Sequence, residues 1–256
     1  MSLITLTTDF GLDDWFVGTM KGVIAGIAPR VEVVDLTHGV PPGDIRAGAF
    51  ALAAGYGFFP KGTIHIAVVD PGVGSERKAI AVQTGNYFFV GPDNGVLSFA
   101  LRRERIKHIH RLENARYFLR SISQTFHGRD VFAPVAAYLA KGVRISALGP
   151  AQKSFDRLEW PAPRRLHGRL EGEVIYIDRF GNGITNLDSG MLASSEATTC
   201  GVPSRFTCPL NSCYQAVRQG KPVAVLGSSG FIEIAVNGGS AQKRLGLKVG
   251  TRVVIS

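Results

Sequence analysis

Residues 64–77 read IHIAVVDPGVGSER, and their pattern sets the fold class expected for the whole chain. The run begins with apolar and β-branched residues, which is typical of a strand buried in a parallel sheet. It ends at Asp70 and passes into a Pro-Gly-x-Gly turn that leads to Arg77. Because open α/β folds bind ligands beyond the carboxyl ends of their strands, Asp70 and Arg77 are predicted to lie at a ligand site.

The sequence before this run alternates between β-prone and helix-prone segments. In chain order these segments are strand 3–7, helix 15–28, strand 31–36 and helix 45–55. A β-α-β-α-β order is typical of a parallel sheet with right-handed crossovers. Two short strands around Thr84-Gly85-Asn86 are predicted to form a hairpin. The fold class expected here is an α/β N-terminal domain with a mostly parallel sheet.

The composition changes at Trp160-Pro161-Ala162-Pro163-Arg164-Arg165, where two prolines predict a stiff, extended connection. Short alternating apolar segments follow it without long helices between them, which favours a smaller all-β, barrel-like C-terminal domain. We therefore predict an α/β domain over 1–160, a linker over 161–166 and a β-rich domain over 167–256.

The bulk composition is that of a globular protein, with 256 residues, 45% hydrophobic and 19% charged. The sequence contains no apolar run of about 18 residues and no N-terminal signal pattern, so a cytoplasmic protein without membrane contact is expected. Cys200, Cys208 and Cys213 are odd in number and match no zinc-binding spacing. They are interpreted as reduced thiols, and no metal site is predicted.

The formal net charge of +9 raises nucleic acid as a partner. Seven basic residues cluster between positions 102 and 120, opposed only by Glu104 and Glu113. No aromatic stacking platform or nucleic-acid motif accompanies them, so we interpret them as a solvated surface and do not expect nucleic acid as a partner. A non-enzymatic nucleoside- or nucleic-acid-binding protein remains the alternative from another functional class.

Several polar residues at predicted strand and helix ends are candidates for chemistry. Asp9 follows the first strand as Asp70 follows the third, and such a carboxylate either caps the next turn or serves a ligand. His127 and Gly128 immediately precede a predicted helix, which places an imidazole beside exposed backbone N–H groups. The histidines lack metal-ligand spacing, and Ser228-Ser229-Gly230 lacks the context of a nucleophilic serine.

Taken together, six segments resemble the adenosine-forming S-adenosyl-L-methionine (SAM) hydrolases, also called SAM hydroxide adenosyltransferases, which are related to fluorinases and chlorinases. The segments follow the family's order over almost the whole chain. They are TTDFG at 7–11, VDPGVG at 69–74, GPDNG at 91–95, FHGRD at 126–130, DRFGN at 178–182 and IAVN at 234–237.

The resemblance implies hydrolysis of SAM to adenosine and L-methionine, without a cofactor, by a homotrimer with sites between neighbouring subunits. The family's Asp-Arg-His catalytic set falls on Asp70, Arg77 and His127. Its substrate-binding positions would hold ribose, adenine and the methionine end. They fall on Asp9, Phe126, Asp178, Asn182, Ser228 and Asn237, with Asp9 at the ribose, Asn237 at the adenine, and Asp178, Asn182 and Ser228 at the methionine end.

The same resemblance favours water over halide as the nucleophile. Halide-transferring relatives typically carry Tyr or another non-acidic residue at the position of Asp70, and the fluorinase has Ser at that of Gly128. The fluorinase also has a long insertion where this chain has Thr84-Gly85-Asn86. Two further positions depart from the halide pattern, since Ile184 replaces an adenine-stacking Trp and Ser229 replaces an Arg. Halide transfer to SAM remains the alternative enzymatic function.

Attack of water or hydroxide on the ribose C5′ suits these residue types, because the sulfur leaves as a neutral thioether and needs no general acid. The enzyme has to supply an aligned, activated oxygen nucleophile. The sequence-based hypothesis is that Arg77 and His127 position this nucleophile, while Asp70 accepts a proton, orients His127 and so polarises the attacking oxygen.

Overall fold

The computed structural model describes residues 2–166, 169–193 and 198–256. These residues divide into two compact units, Met1–Leu158 and Glu159–Ser256. The segment 161–166, expected as a linker, includes a short strand that belongs to the second unit. Each unit is described by itself below.

The first unit is built on a six-stranded sheet. Its strands are β1 (Leu3–Thr8), β2 (Glu32–Thr37), β3 (Ile64–Val68), β4 (Ala79–Thr84), β5 (Phe88–Pro92) and β6 (Ile106–Arg111). Their spatial order is β2-β1-β3-β5-β4-β6. The first four strands in this order run parallel, and β4 runs antiparallel to both of its neighbours. The predicted hairpin around Gly85 is therefore confirmed as β4 and β5.

Helices cover this sheet and bury its apolar residues. They are α1 (Phe16–Ile27), α2 (Ile45–Gly55), α3 (Ser98–Leu101) and α4 (Ala133–Ala140). Helix α2 begins where the Asp44 carboxylate accepts a hydrogen bond of 2.9 Å from the backbone N–H of Ala47, a typical N-cap. Helices α1 and α4 share one buried cluster with β1 and β3, to which Met20, Ile66 and Phe132 contribute. The parallel strands therefore hold their carboxyl ends in fixed positions.

In its described residues, 159–166, 169–193 and 198–256, the second unit has eight strands and two short α-helices. The elements are β7 (Arg164–Leu166), β8 (Arg169–Ile177), β9 (Gly183–Asp188), α5 (Ser189–Ala193), β10 (Thr199–Val202), β11 (Phe206–Asn211), β12 (Pro222–Leu226), β13 (Phe231–Val236), α6 (Ala241–Leu245) and β14 (Arg252–Ile255). Seven strands form a closed ring in the order β14-β10-β11-β12-β13-β9-β8, and β8 pairs back with β14. Closure leaves these seven strands without a free edge, while the short, exposed β7 pairs with β8 alone. The predicted fold class, an α/β domain followed by a barrel-like β domain, is confirmed.

The basic residues of segment 102–120 lie partly in strand β6 and in a 3₁₀ turn at Ala115–Tyr117, and partly in the connections that follow α3 and this turn. Arg111 pairs with Glu113 at 3.1 Å. The other six side chains, Arg102, Arg103, Arg105, Lys107, Arg116 and Arg120, are exposed. Within the described ranges no helix is long and apolar enough to cross a membrane.

A buried histidine in β3 makes the stability of the first unit depend on pH. His65 is fully buried among aromatic rings that include Tyr56, Tyr87 and Phe89, and its Nδ1 lies 2.7 Å from Thr5 Oγ1. Burial disfavours the charged imidazolium and lowers the pKa of His65 from its ordinary 6.5 to about 3.

Because of this lowered pKa, we expect acid to destabilise the protein through His65. Between pH 6.5 and pH 3 the unfolded chain binds a proton at His65 that the folded chain does not, so unfolding becomes easier as the pH falls. The loss is about 1.4 kcal/mol per pH unit in this window, or about 2 kcal/mol between pH 7 and pH 5. Urea unfolding of the wild type and of His65→Phe at both pH values measures it. The variant should lose about 2 kcal/mol less than the wild type on acidification, and equal losses would contradict the prediction.

Candidate active site

The carboxyl ends of the parallel strands bring four polar segments to one edge of the first unit. Asp9 follows β1, Gly43 lies in the turn after β2, and Asp70 closes the run that contains β3. Asn94 follows β5, and its side-chain amide donates to the carbonyl oxygen of Val69 at 2.9 Å. This edge is where open α/β sheets bind ligands.

Asp70, Arg77 and His127 form one connected group at this edge. Arg77 Nε lies 2.9 Å from both Asp70 carboxylate oxygens, and Arg77 Nη2 donates to Asp70 Oδ2 at 2.5 Å. The same Nη2 also donates to His127 Nδ1 at 2.8 Å. The Asp70 side chain is only 4% exposed and that of Arg77 only 11% exposed. Arg77 therefore stands between the carboxylate and the imidazole, and it binds both.

A glycine allows the two loops that carry this group to meet. Gly74 has a φ of +78°, and a Cβ at this position would overlap the carbonyl oxygen of Gln124. The loop after Asp70 consequently lies against the segment that leads into His127. A side chain at residue 74 would force the loops apart.

The backbone around His127 is held by a fully buried carboxylate. The chain enters a π-helical turn at Gly128–Phe132 directly after His127, before α4 begins. Asp130 accepts hydrogen bonds from Ser123 N at 2.8 Å and from Arg129 Nε at 2.6 Å. Burial raises the pKa of Asp130, but these hydrogen bonds lower it further, so the net pKa is below its usual range. An ionised Asp130 thus ties the loop before His127 to the turn after it.

The protonation state of His127 follows from its surroundings. Burial and the adjacent Arg77 cation lower the pKa of His127, so the ring is neutral at pH 7. Because arginine only donates hydrogen bonds, Nδ1 of the neutral ring accepts from Arg77, and the proton must reside on Nε2. His127 therefore presents an N–H donor.

Asp9 and Phe126 lie near this group. Asp9 Oδ2 accepts a hydrogen bond of 2.8 Å from the backbone N–H of Gly43, and Gly43 lies beside Pro71 of the Asp70 loop. The Phe126 ring is 5.6 Å from that of Phe10, which follows Asp9 directly in the chain. Of the sequence-predicted residues, five thus belong to the carboxyl edge of the first unit.

In the second unit, Asp178 and Asn182 close a tight turn between β8 and β9. Asp178 Oδ1 accepts from the backbone N–H groups of Phe180 and Asn182 at 2.9 and 2.8 Å, and Oδ2 accepts from Asn182 Nδ2 at 2.9 Å. A carboxylate accepts about four hydrogen bonds. Asp178 can therefore accept a further donor from a ligand.

The remaining predicted positions differ in exposure. Ser228 is exposed, whereas Asn237 is half-buried and donates from Nδ2 to the carbonyl oxygen of Val217 at 2.7 Å. Ile184, at the position where the halide pattern has Trp, is 6% exposed and pairs with Glu233 of β13. The Ser229 hydroxyl oxygen is buried and has no hydrogen-bond partner among the described residues.

Sequence reasoning missed some polar residues of this region. Glu233 is 6% exposed and accepts a hydrogen bond from the Tyr214 hydroxyl at 2.7 Å. Its burial, together with the nearby Asp178 charge, raises its pKa, although the Tyr214 hydrogen bond acts in the opposite direction. The signal was present, because Glu233 interrupts the apolar run of β13. The contact between Gly43 and Asp9 spans 34 residues and had no such signal, whereas Asp130 lies within FHGRD and its partners Ser123 and Arg129 are close in sequence.

Comparison with known protein families places this architecture in a defined class. The pattern of the SAM hydroxide adenosyltransferase N-terminal domain matches residues 4–149, and that of the corresponding C-terminal domain matches residues 172–254. The chain belongs to the SAM hydroxide adenosyltransferase family. The resemblance drawn from the six sequence motifs is confirmed.

Relatives of the chain agree with this membership over their whole length. The (R)-S-adenosyl-L-methionine hydrolase of Thermus thermophilus is 41% identical, with 99% of both chains covered. The crystal structure of an uncharacterized conserved protein from Thermotoga maritima superposes with a TM-score of 0.92 at 35% identity, covering 100% of this chain and 99% of the other. A fluorinase of Actinoplanes is more distant, at 25% identity over 99% of this chain and 97% of its own.

Proposed function

We propose that this protein hydrolyses SAM to adenosine and L-methionine. The observation that carries the proposal is the bridge that Arg77 makes between Asp70 and His127, within a chain of the SAM hydroxide adenosyltransferase family. The hydrolase relatives share up to 41% of their residues with this chain, whereas the fluorinase shares 25%. Hydrolysis is thus favoured over halide transfer.

The reaction requires a bond to form between an oxygen nucleophile and the ribose C5′ while the C5′–S bond breaks. The bonding electron pair goes to sulfur, so the sulfonium becomes the neutral thioether of methionine. The proton of the attacking water is released to solvent, and no cofactor is needed. Attack by hydroxide on a sulfonium cancels charge, which a site poorer in water than the solvent favours.

The geometry supports a specific division of roles among the three residues. Arg77 Nη1 has no hydrogen bond with any described residue, and in the neutral ring His127 Nε2 carries a proton. Both groups are donors, so together they orient the oxygen nucleophile and stabilise its hydroxide character. Asp70, whose two oxygens accept from Arg77, holds the guanidinium in place. The sequence-based hypothesis had Asp70 orient His127, and in this proposal Asp70 does so through Arg77.

Substrate binding is assigned residue by residue. Asp9 accepts hydrogen bonds from the ribose hydroxyls through the lone pairs that Gly43 leaves available, and Phe126 provides an apolar wall. Asp178 binds the ammonium of the methionine end through its remaining acceptor capacity, which Asn182 orients. Ser228 contacts the methionine end, and the Asn237 loop contacts the adenine.

Two further properties complete the proposal. One is a homotrimer with substrate sites between neighbouring subunits, which the family resemblance implies; sedimentation velocity of the purified protein tests the trimer. The other is a cytoplasmic location, which cell fractionation tests.

Product analysis is the experiment that tests the proposed reaction. The protein is incubated with SAM, with and without chloride, and the products are separated by chromatography. Adenosine and methionine in equal amounts under both conditions are expected. Formation of 5′-chloro-adenosine would establish halide transfer instead. A salt-dependent gel shift without adenosine formation would favour the nucleic-acid-binding alternative.

A further inference from the structure

Thr8, which precedes Asp9 in the chain, forms a buried hydrogen-bonded pair with His38. Thr8, the last residue of β1, is fully buried, and His38, just beyond β2, is 5% exposed. His38 Nδ1 lies 2.7 Å from Thr8 Oγ1. The β1–β2 register shifts between Leu6 and Thr7, so the regular ladder is interrupted before Thr7. The hydrogen bond between Thr8 and His38 joins the two chain segments just beyond this irregularity.

Thr8 and His38 also bind the backbone of the two residues that follow Asp9. Phe10 N donates to Thr8 Oγ1 at 3.2 Å, and Gly11 N donates to the backbone oxygen of His38 at 2.9 Å. Since Thr8 precedes Asp9 and Phe10 follows it, these bonds set the direction in which the Asp9 side chain leaves the backbone.

Asp35 lies on the other side of the imidazole. His38 Nε2 is 3.0 Å from Asp35 Oδ1, within ion-pair distance but without hydrogen-bond geometry, and Asp35 Oδ2 accepts from Lys21 Nζ of α1 at 2.6 Å. The bond between His38 Nδ1 and Thr8 Oγ1 is therefore the hydrogen bond that holds the ring. Thr8 Oγ1 also accepts from the backbone N–H of Phe10, so two partners fix the position of this hydroxyl.

We propose that Thr8 and His38 are positioning residues that hold the Asp9 carboxylate in the direction required to bind the two ribose hydroxyls of the substrate. Neither residue acts on the reacting atoms. The inference rests on the proposed function and on the ribose role of Asp9, and it gives a role to two residues that the sequence analysis left without one, Thr8 within TTDFG and His38.

Paired substitutions at Thr8 test this proposal. Thr8→Val removes the hydroxyl and keeps the shape, so we expect the KM for SAM to rise about tenfold while kcat changes less than about threefold. Thr8→Ser retains the hydroxyl and should restore a KM within about twofold of the wild type. Thr63→Val is a matched control, because Thr63 is 1% exposed and its hydroxyl also donates, to the Pro60 oxygen at 2.7 Å, but it lies at the amino end of β3.

A double substitution separates positioning from general stability. If Thr8 acts through Asp9, Thr8→Val should raise KM little or not at all in an Asp9→Ala background. An undiminished tenfold increase there, or an unchanged KM in Thr8→Val alone, would overturn the proposal. His38→Leu serves as the second variant if Thr8→Val does not fold, with the same expectations.

A failure of the proposed hydrolase function can be distinguished from a failure of the positioning role. A wild-type protein that forms no adenosine from SAM contradicts hydrolysis but leaves the positioning of Asp9 testable. In that case calorimetric titration with adenosine replaces KM. Thr8→Val should weaken adenosine binding about tenfold and Thr8→Ser should not, and equal affinities in the two variants would overturn the positioning role.

Discussion

Replacing Arg77 with alanine is expected to lower kcat for adenosine release by about 1,000-fold or more, with a change of only a few-fold in KM. Arg77 is the group that binds both Asp70 and His127, so its loss leaves a buried carboxylate unpaired and removes the orientation of the imidazole. It also removes the cation that favours hydroxide character in the nucleophile. Removal of one electrostatic donor of this kind costs about 100- to 1,000-fold in other enzymes, and here one side chain serves two functions. Initial rates at varied SAM concentration give both constants.

A second arginine provides the control for this substitution. Arg111 also makes a carboxylate ion pair, with Glu113 at 3.1 Å, but its side chain is 37% exposed and lies on β6. Such exposed pairs contribute little to stability, so Arg111→Ala should retain wild-type rates. Asp70→Asn should reduce kcat less than Arg77→Ala, because it removes the ion pair and keeps the guanidinium. More than one-tenth of the wild-type kcat in a folded Arg77→Ala protein would contradict the proposed role.

The ends of the strands were predictable because their signal is local. An apolar run that stops at Asp9 or at Asp70 identifies both the strand and the carboxylate that follows it, and parallel strands bring such residues to one edge. The β-α-β-α-β order predicted that the first three strands run parallel, but it did not predict that β1 lies between β2 and β3. The six motifs identified the family, and only that resemblance supplied SAM as the electrophile, which no spacing argument contains.

The connections within the candidate site were not predictable, because they depend on atoms far apart in the chain. Arg77 and His127 are 50 residues apart, and nothing in either motif shows that the arginine separates Asp70 from the imidazole. The sequence-based hypothesis therefore assigned the orientation of His127 to Asp70 without placing Arg77 between them. In the barrel, β9 was not predicted because its residues Thr185 and Asn186 are polar and so interrupt the apolar pattern of a buried strand. Both are nevertheless buried, and they donate hydrogen bonds to the backbone oxygens of Ile232 and Pro161.

Substitutions of His127 are expected to separate two roles, donation of a hydrogen bond to the nucleophile and abstraction of a proton from it. If Nε2–H donates to the nucleophile, an amide N–H at a similar distance from the backbone should replace it in part. His127→Gln carries such a donor, whereas His127→Asn reaches only the position of Nδ1 and His127→Ala reaches neither. We expect about one-tenth of the wild-type kcat in His127→Gln, and a loss of about 100- to 1,000-fold in the other two variants.

The pH dependence of kcat gives an independent test of the same role. Burial and the Arg77 cation lower the pKa of His127, so the ring stays neutral at and above its ordinary pKa of 6.5 and becomes protonated only in more acid solution. Protonation places a hydrogen on Nδ1 and breaks the bond from Arg77, so His127 should reduce activity only as the pH falls below 6.5. This acid limb should be absent in His127→Gln, whose amide does not titrate. A general base would behave differently, since His127→Gln would then be as inactive as His127→Ala because glutamine accepts no proton in this range. Equal kcat values for the Gln and Ala variants would therefore assign proton abstraction to His127 and reject the donor role.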